Sequence, residues 1–113
     1  MLSLACPIRI ESEANRREHW AARHRRAKAQ RAAIGAALLL AGQPPSPPLV
    51  VVLTRIGPKL LDTDNLAGGF KAVRDAIAKW LGVDDGPTSR VEWRYEQRRG
   101  KRGEYWVEVR IGE

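Results

Sequence analysis

The chain has 113 residues and a formal net charge of +7, from 20 Lys+Arg against 13 Asp+Glu. That length holds one domain, and 43% hydrophobic residues suffice for a modest core. The single cysteine, Cys6, excludes an internal disulfide and a cysteine-based zinc site, while the basic balance points to DNA, RNA or an anionic membrane face.

Leu2 to Ile10 reads as a first strand, interrupted by Pro7. The opening MLSLACPIRI has no basic segment ahead of an apolar one. No secretory signal is therefore expected, and a cytoplasmic location is. Asn15 to Leu40 reads as a long helix rich in Ala, Arg and Leu. Its first part is crowded with arginine and its second part is apolar, so it should start exposed and end buried. The apolar run from Ala32 to Gly42 is about half the roughly 20 residues a membrane span needs, so no membrane partner is expected. QPPSPP, Gln43 to Pro48, must be a connector. Leu49 to Thr54, LVVVLT, has the continuous apolar character of a strand covered on both faces, with a loop from Ile56 to Leu61.

A second helix is predicted from about Asp64 to Leu81, where Phe70, Val73, Ile77 and Leu81 form one stripe and Gly82 stops the helix. Asp84 to Pro87 reads as a turn. Val91 to Glu96 and Tyr105 to Ile111 alternate as strands, and the link QRRGKRG predicts a β-hairpin with a charged tip. The order βαβαββ with two helices defines a single α+β domain with a mixed or mostly antiparallel sheet.

Five aspartates lie between Asp62 and Asp85, against the basic trend of the chain. A tight acidic cluster on a basic surface repels a polyanion unless a metal ion stands between them. In an extended segment Asp62 and Asp64 point the same way and can address one point. Asp84 and Asp85 follow the far end of a helix about 27 Å long, so they join the first pair only if the chain kinks or turns back. Oxygen-only ligands suit Mg²⁺ or Mn²⁺. His19 and His24 are five apart and miss the spacing of a helical metal pair. Lys71, two helical turns after Asp64, could hold a scissile phosphate. The alternative is purely structural: Asp62, Thr63 or Asp64 as a helix cap, Asp84-Asp85-Gly86-Pro87 as an ordinary turn, and Asp75 with Lys79 as a surface pair. Gly68 and Gly69 weigh against it, because two glycines early in a helix suggest that a backbone or ligand comes close.

Arg16, Arg17, Arg23, Arg25, Arg26, Lys28 and Arg31 crowd the first helix, and Arg98, Arg99, Lys101 and Arg102 crowd the hairpin tip. Both groups are candidates for phosphate contact, or else solvated faces. Trp80 and Trp93 are expected in the core. Trp20 and Trp106 stand among polar neighbours, where they are either partly buried or free to stack on bases.

These residues resemble the RusA family of Holliday junction resolvases, in its phage and prophage branch. The resemblance rests on Leu61-Asp62-Thr63-Asp64-Asn65-Leu66, on Phe70-Lys71-Ala72-Val73-Arg74-Asp75-Ala76-Ile77, on Leu81-Gly82-Val83-Asp84-Asp85, and on Asn15-Arg16 before the basic helix. It implies a small α+β homodimer that cuts four-way DNA junctions with Mg²⁺. It further implies that Asp62, Asp64 and Asp85, with Asp84 beside the last, hold the metal, and that Lys71 corresponds to the family's essential lysine. The function expected on these grounds is a metal-dependent endodeoxyribonuclease acting on branched DNA. The alternative is a basic nucleic-acid-binding protein without catalysis.

Overall fold

The computed structural model describes residues 1–12, 20–84, 86 and 89–113. Among them the order is β1 (Leu2–Cys6), α1 (Trp20–Ala41), β2 (Leu49–Gly57), α2 (Thr63–Gly69), α3 (Lys71–Leu81), β3 (Val91–Arg99) and β4 (Trp106–Gly112). The domain is α+β, as the sequence predicts.

β2, the most apolar strand, takes a central place in a sheet ordered β1-β4-β2-β3. β3 lies parallel to it, with Val51 beside Trp93 and Leu53 beside Tyr95. β4 lies antiparallel on the other side, with Leu53 beside Val109, and β1 pairs antiparallel with the outer edge of β4. A parallel pair cannot be closed by a tight turn and needs a crossover, which α2 and α3 supply.

One face of the sheet carries the core. Leu49, Val51, Leu53, Val107, Val109 and Ile111 pack there against Ile34 and Leu38 of α1 and against Phe70, Val73, Ile77 and Leu81 of α3. The predicted stripe is the buried side of α3, and Gly82 ends the helix in the left-handed conformation at φ 73°. Phe70 is fully buried and stacks on Tyr95 at 5.9 Å between centroids. The other face of β2 is covered by ion pairs instead of a second layer. Thr54 stands between Glu96 of β3 and Glu108 of β4. Arg110 donates to Glu96 at 2.8 Å and Arg98 to Glu108 at 2.8 Å, so both pairs span β2. Thr54 beneath them is only 4% exposed.

The fold departs from the sequence reading at several elements, among them β3, which runs on to Arg99 where a strand was expected only to Glu96. β1 stops at Cys6, before Pro7, although Ile8 and Ile10 stay buried. β2 continues through Gly57, where a loop was expected from Ile56. The single second helix is two, because Phe70 sits at φ −86°, ψ 0° between them. The predicted hairpin is absent: β3 and β4 flank β2 and do not pair. The connection from Gly100 to Tyr105 passes over the end of β2, where the Gly100 N–H donates to the Gly57 carbonyl at 2.8 Å. Two strand spacings are only about 10 Å, so a six-residue link spans them as readily as it closes a hairpin.

The two glycines of α2 separate cleanly. A Cβ on Gly69 would lie 2.7 Å from the Glu11 carbonyl oxygen and from Ile10 Cγ2, whereas one on Gly68 would meet nothing within 4 Å. Gly69 is therefore required by the chain segment that follows β1, and Gly68 is not. Gly69→Ala should lower stability by about 1–3 kcal/mol through overpacking, while Gly68→Ala should raise it by up to about 1 kcal/mol through helix propensity. Thermal melts of the two variants check this.

Candidate functional site

The ends of β2 and β3, the end of β1 and the start of β4 all lie at one end of the sheet. The Asp62–Asp64 segment is fixed there by Gln97 of β3. The Gln97 amide accepts the Leu61 N–H at 2.9 Å and donates to the Leu61 carbonyl at 2.6 Å. Both backbone groups of Leu61 are thus satisfied by one side chain, and the chain leaves it directly into α2.

Asp62 is the residue before α2, extended at φ −62°, ψ 152°, and its carboxylate makes no capping hydrogen bond. Asp64 already lies in the first turn of the helix. The pair therefore departs from the expected picture of two side chains on one edge of an extended segment. Two residues apart, their Cα atoms are still no more than about 7 Å from each other, within reach of one ion. Both are exposed, and neither carboxylate has a hydrogen bond or ion pair among the described residues.

Lys71 is placed otherwise than the helix argument assumed. The break at Phe70 removes the continuous helix that put it on the face of Asp64. Lys71 opens α3, is exposed, and bonds Asp75 at 3.1 Å. Asp75 is thus the partner of Lys71 and not of Lys79. Arg74, one turn into α3, bonds the Tyr95 hydroxyl at 2.6 Å and lies 4.8 Å over the Trp93 ring. Phe70 meets Tyr95 before it, so α3 runs back along β3 toward the start of that strand. Asp84 follows the end of α3 and is exposed, its carboxylate accepting the Gly86 N–H at 3.1 Å in the predicted turn. Val91 and Gln97 are separated by about 20 Å of strand, so Asp84 and the Asp62–Asp64 pair belong to opposite ends of the sheet. Among the described residues no three carboxylates, histidines or cysteines gather in one place. Asp85, Arg16, Arg17 and His19 lie outside the described residues.

Part of the basic charge lies at the Asp62–Asp64 end, where Arg9, Arg55, Lys59 and Arg102 surround Leu61. Gln30, buried in the arginine-rich half of α1, donates to the Arg9 carbonyl at 3.2 Å and so brings that half beside the segment after β1. Arg26 lines the same groove with Arg9 and Glu11. Arg23, Arg25, Lys28 and Arg31 are exposed along the helix, as are Arg99 at the end of β3 and Lys101 and Arg102 in the β3–β4 connection. Arg98 is committed elsewhere, to Glu108 on the open face, and that bond holds the Glu108 carboxyl below the usual range. Trp20 is 72% and Trp106 42% exposed, while Trp80 and Trp93 are half-buried. No helix among the described residues is long and apolar enough to cross a membrane.

Three cations escape the sequence reading. Arg55 points inward from β2 and is 4% exposed, and Arg9 and Lys59 lie beside it. The available signal is an arginine at an inward position of an otherwise apolar strand, LVVVLTRIG. Burial lowers the Arg55 pKa from its ordinary value, while Tyr105 and Glu11 act the other way. The sequence matches no protein-family model, and no curated protein matches it.

Two outcomes follow from this geometry. Gln97→Leu should strip protection from the Leu61 amide at a cost of about 1–3 kcal/mol, with the β2 amides still protected; hydrogen exchange reads this directly. Glu108, depressed below 4.5 by Arg98, contributes stability that is present above that value and lost as pH falls through the folded pKa. Glu108→Gln should therefore lose less stability than wild type between about pH 7 and about pH 3 in urea titrations.

Proposed function

We propose that the protein is a Mg²⁺-dependent endodeoxyribonuclease acting on branched DNA in the cytoplasm. The observation that carries this reading is the pair Asp62 and Asp64, exposed and without a hydrogen bond or ion pair among the described residues, next to Leu61 at the end of the sheet that also holds Arg9, Arg55, Lys59 and Arg102. Carboxylates that serve only as caps would bond the helix they precede, and Asp62 does not. A basic end draws in a polyanion, and the acidic pair at its centre makes sense if a divalent cation bridges the two.

The residues present fit such an ion. Mg²⁺ keeps several waters and is commonly held by one or two carboxylates together with substrate phosphates, so Asp62 and Asp64 suffice as the protein's share. Mn²⁺ suits the same oxygens. Asp84, at the other end of the sheet, does not belong to this pair within one protomer. Asp85 enters the reading through the resemblance alone. When bound, the ion would neutralise phosphate charge and polarise the scissile bond. Lys71 would exchange Asp75 for a phosphate oxygen, a cheap exchange because an exposed pair of this kind contributes only about 0.2–1 kcal/mol. Arg25, Lys28, Arg99, Lys101 and Arg102 would hold the arms. A two-fold junction needs two symmetry-related cuts, which favours a homodimer.

The separation of Asp84 from Asp62 and Asp64 favours a second reading, a basic nucleic-acid-binding protein whose carboxylates are not catalytic. The two are distinguished with a synthetic four-way junction. Wild type with Mg²⁺ should cut it, and Asp62→Asn and Asp64→Asn should each cut about 100-fold more slowly or worse, the scale on which one charge-stabilising group acts. Binding in EDTA should be retained by both variants. Equal cutting by all three proteins would end the catalytic assignment, and binding without any cutting would favour the second reading.

A further inference from the structure

The converging strand ends also enclose a cleft beside the acidic pair. It is lined by Arg9, Glu11, Arg55, Lys59, Arg102 and Tyr105, and Leu61, the residue before Asp62, closes one side. Among the described residues, four cations thus line the cleft with one carboxylate. Arg55 is its built element. Its Nε donates to the Ile10 carbonyl at 2.9 Å and its Nη1 to the Lys59 carbonyl at 2.6 Å, which locks the guanidinium in place. Nη2 has no acceptor among the described residues. The chain leaves room for this head group: a Cβ on Gly57 would lie 2.8 Å from Nη2 and 2.9 Å from Cζ. Arg9 is stacked over the Tyr105 ring at 4.4 Å and pairs with Glu11 at 2.8 Å.

The buried Arg55 guanidinium hydrogen-bonds neutral carbonyls, and the carboxylate that offsets its charge, Glu11, is shared with Arg9. An anion with several acceptor oxygens would supply both charge and acceptors, and the planar fork of arginine matches a phosphate. We infer that this cleft is a phosphate pocket, which takes a phosphate group of a nucleic-acid strand beside the phosphodiester held at Asp62 and Asp64. The phosphate is either an internal diester or a terminal monoester. The inference rests on the nucleic-acid reading of this end of the molecule and adds a second, metal-independent anchor to it. The anchor fixes the register of the strand, because Lys59 and Leu61 tie the cleft to the acidic pair through the same short loop.

The test is a titration of the full chain in EDTA, followed by amide chemical shifts, with inorganic phosphate and then with short oligonucleotides with and without a 5′-phosphate. Saturable shifts are expected at Lys59, Leu61 and Arg102 to Tyr105. The exposed double variant Lys59→Glu/Arg102→Glu should weaken phosphate binding about tenfold or more with its melting temperature unchanged, and Lys79→Glu, on α3 outside the cleft, should leave it as in wild type. A preference for the phosphorylated oligonucleotide identifies a terminal phosphate, and equal binding identifies an internal diester. Non-saturating shifts spread over the basic surface, an adventitious ion only, would overturn the inference. So would wild-type affinity in the double variant, or oligonucleotide binding that leaves the cleft amides unmoved. Neither divalent metal nor cleavage enters this measurement, so its failure is distinct from failure of the nuclease reading.

Discussion

The burial of β2 between a parallel and an antiparallel neighbour governs the rest of the structure. Its inward residues Leu49, Val51 and Leu53 are almost wholly shielded, and they are shielded because α1 and α3 lie across that face. The parallel partner β3 forces the chain to cross the sheet, and that crossing is α2 and α3. The antiparallel partner β4 forces the β3–β4 connection to pass over the end of β2. Both consequences bring candidate residues to one end of the sheet: the head of α2 with Asp62 and Asp64, and the end of β3 and its connection to β4 with Arg99, Lys101 and Arg102.

The ion pairs of the open face belong to the same constraint. Glu96, Arg98, Glu108 and Arg110 sit on the two strands that flank β2, so their side chains meet across it. Individually such pairs contribute little in water. Their placement nonetheless shields Thr54, and it holds Arg98 on Glu108. Charge at the Asp62–Asp64 end is carried by Arg9, Lys59 and Arg102, and by Arg55, whose guanidinium bonds the carbonyls of Ile10 and Lys59.

Two internal side chains connect this scaffold to the candidate site. Gln97 satisfies both backbone groups of Leu61, and Arg55 satisfies the carbonyls of Ile10 and Lys59. Each is a polar residue at an inward strand position, near the strand end, where loops would otherwise bury unpaired backbone groups. They rigidify the segments on either side of the acidic pair. Gly69 contributes by allowing the segment after β1 to approach α2 closely.

The sequence by itself determined the α+β class, the element order apart from the break that makes α2 and α3 two helices, the apolar stripe of α3, the stop at Gly82 and the inward residues of β4. These are local matters of periodicity and cap chemistry, and each is written in a few neighbouring residues. It also singled out Asp62 and Asp64 and the basic clusters, because charge against a trend is visible in one dimension. Only the tertiary structure decided that β3 and β4 lie on either side of β2, that Phe70 divides the second helix, that Lys71 bonds Asp75, and that Asp84 stands at the opposite end from Asp62. Arg9, Arg55 and Lys59 became a group only there as well. Strand partners and shared clefts depend on residues far apart in the chain, and which of several sterically allowed pairings is adopted is settled by how the whole core packs.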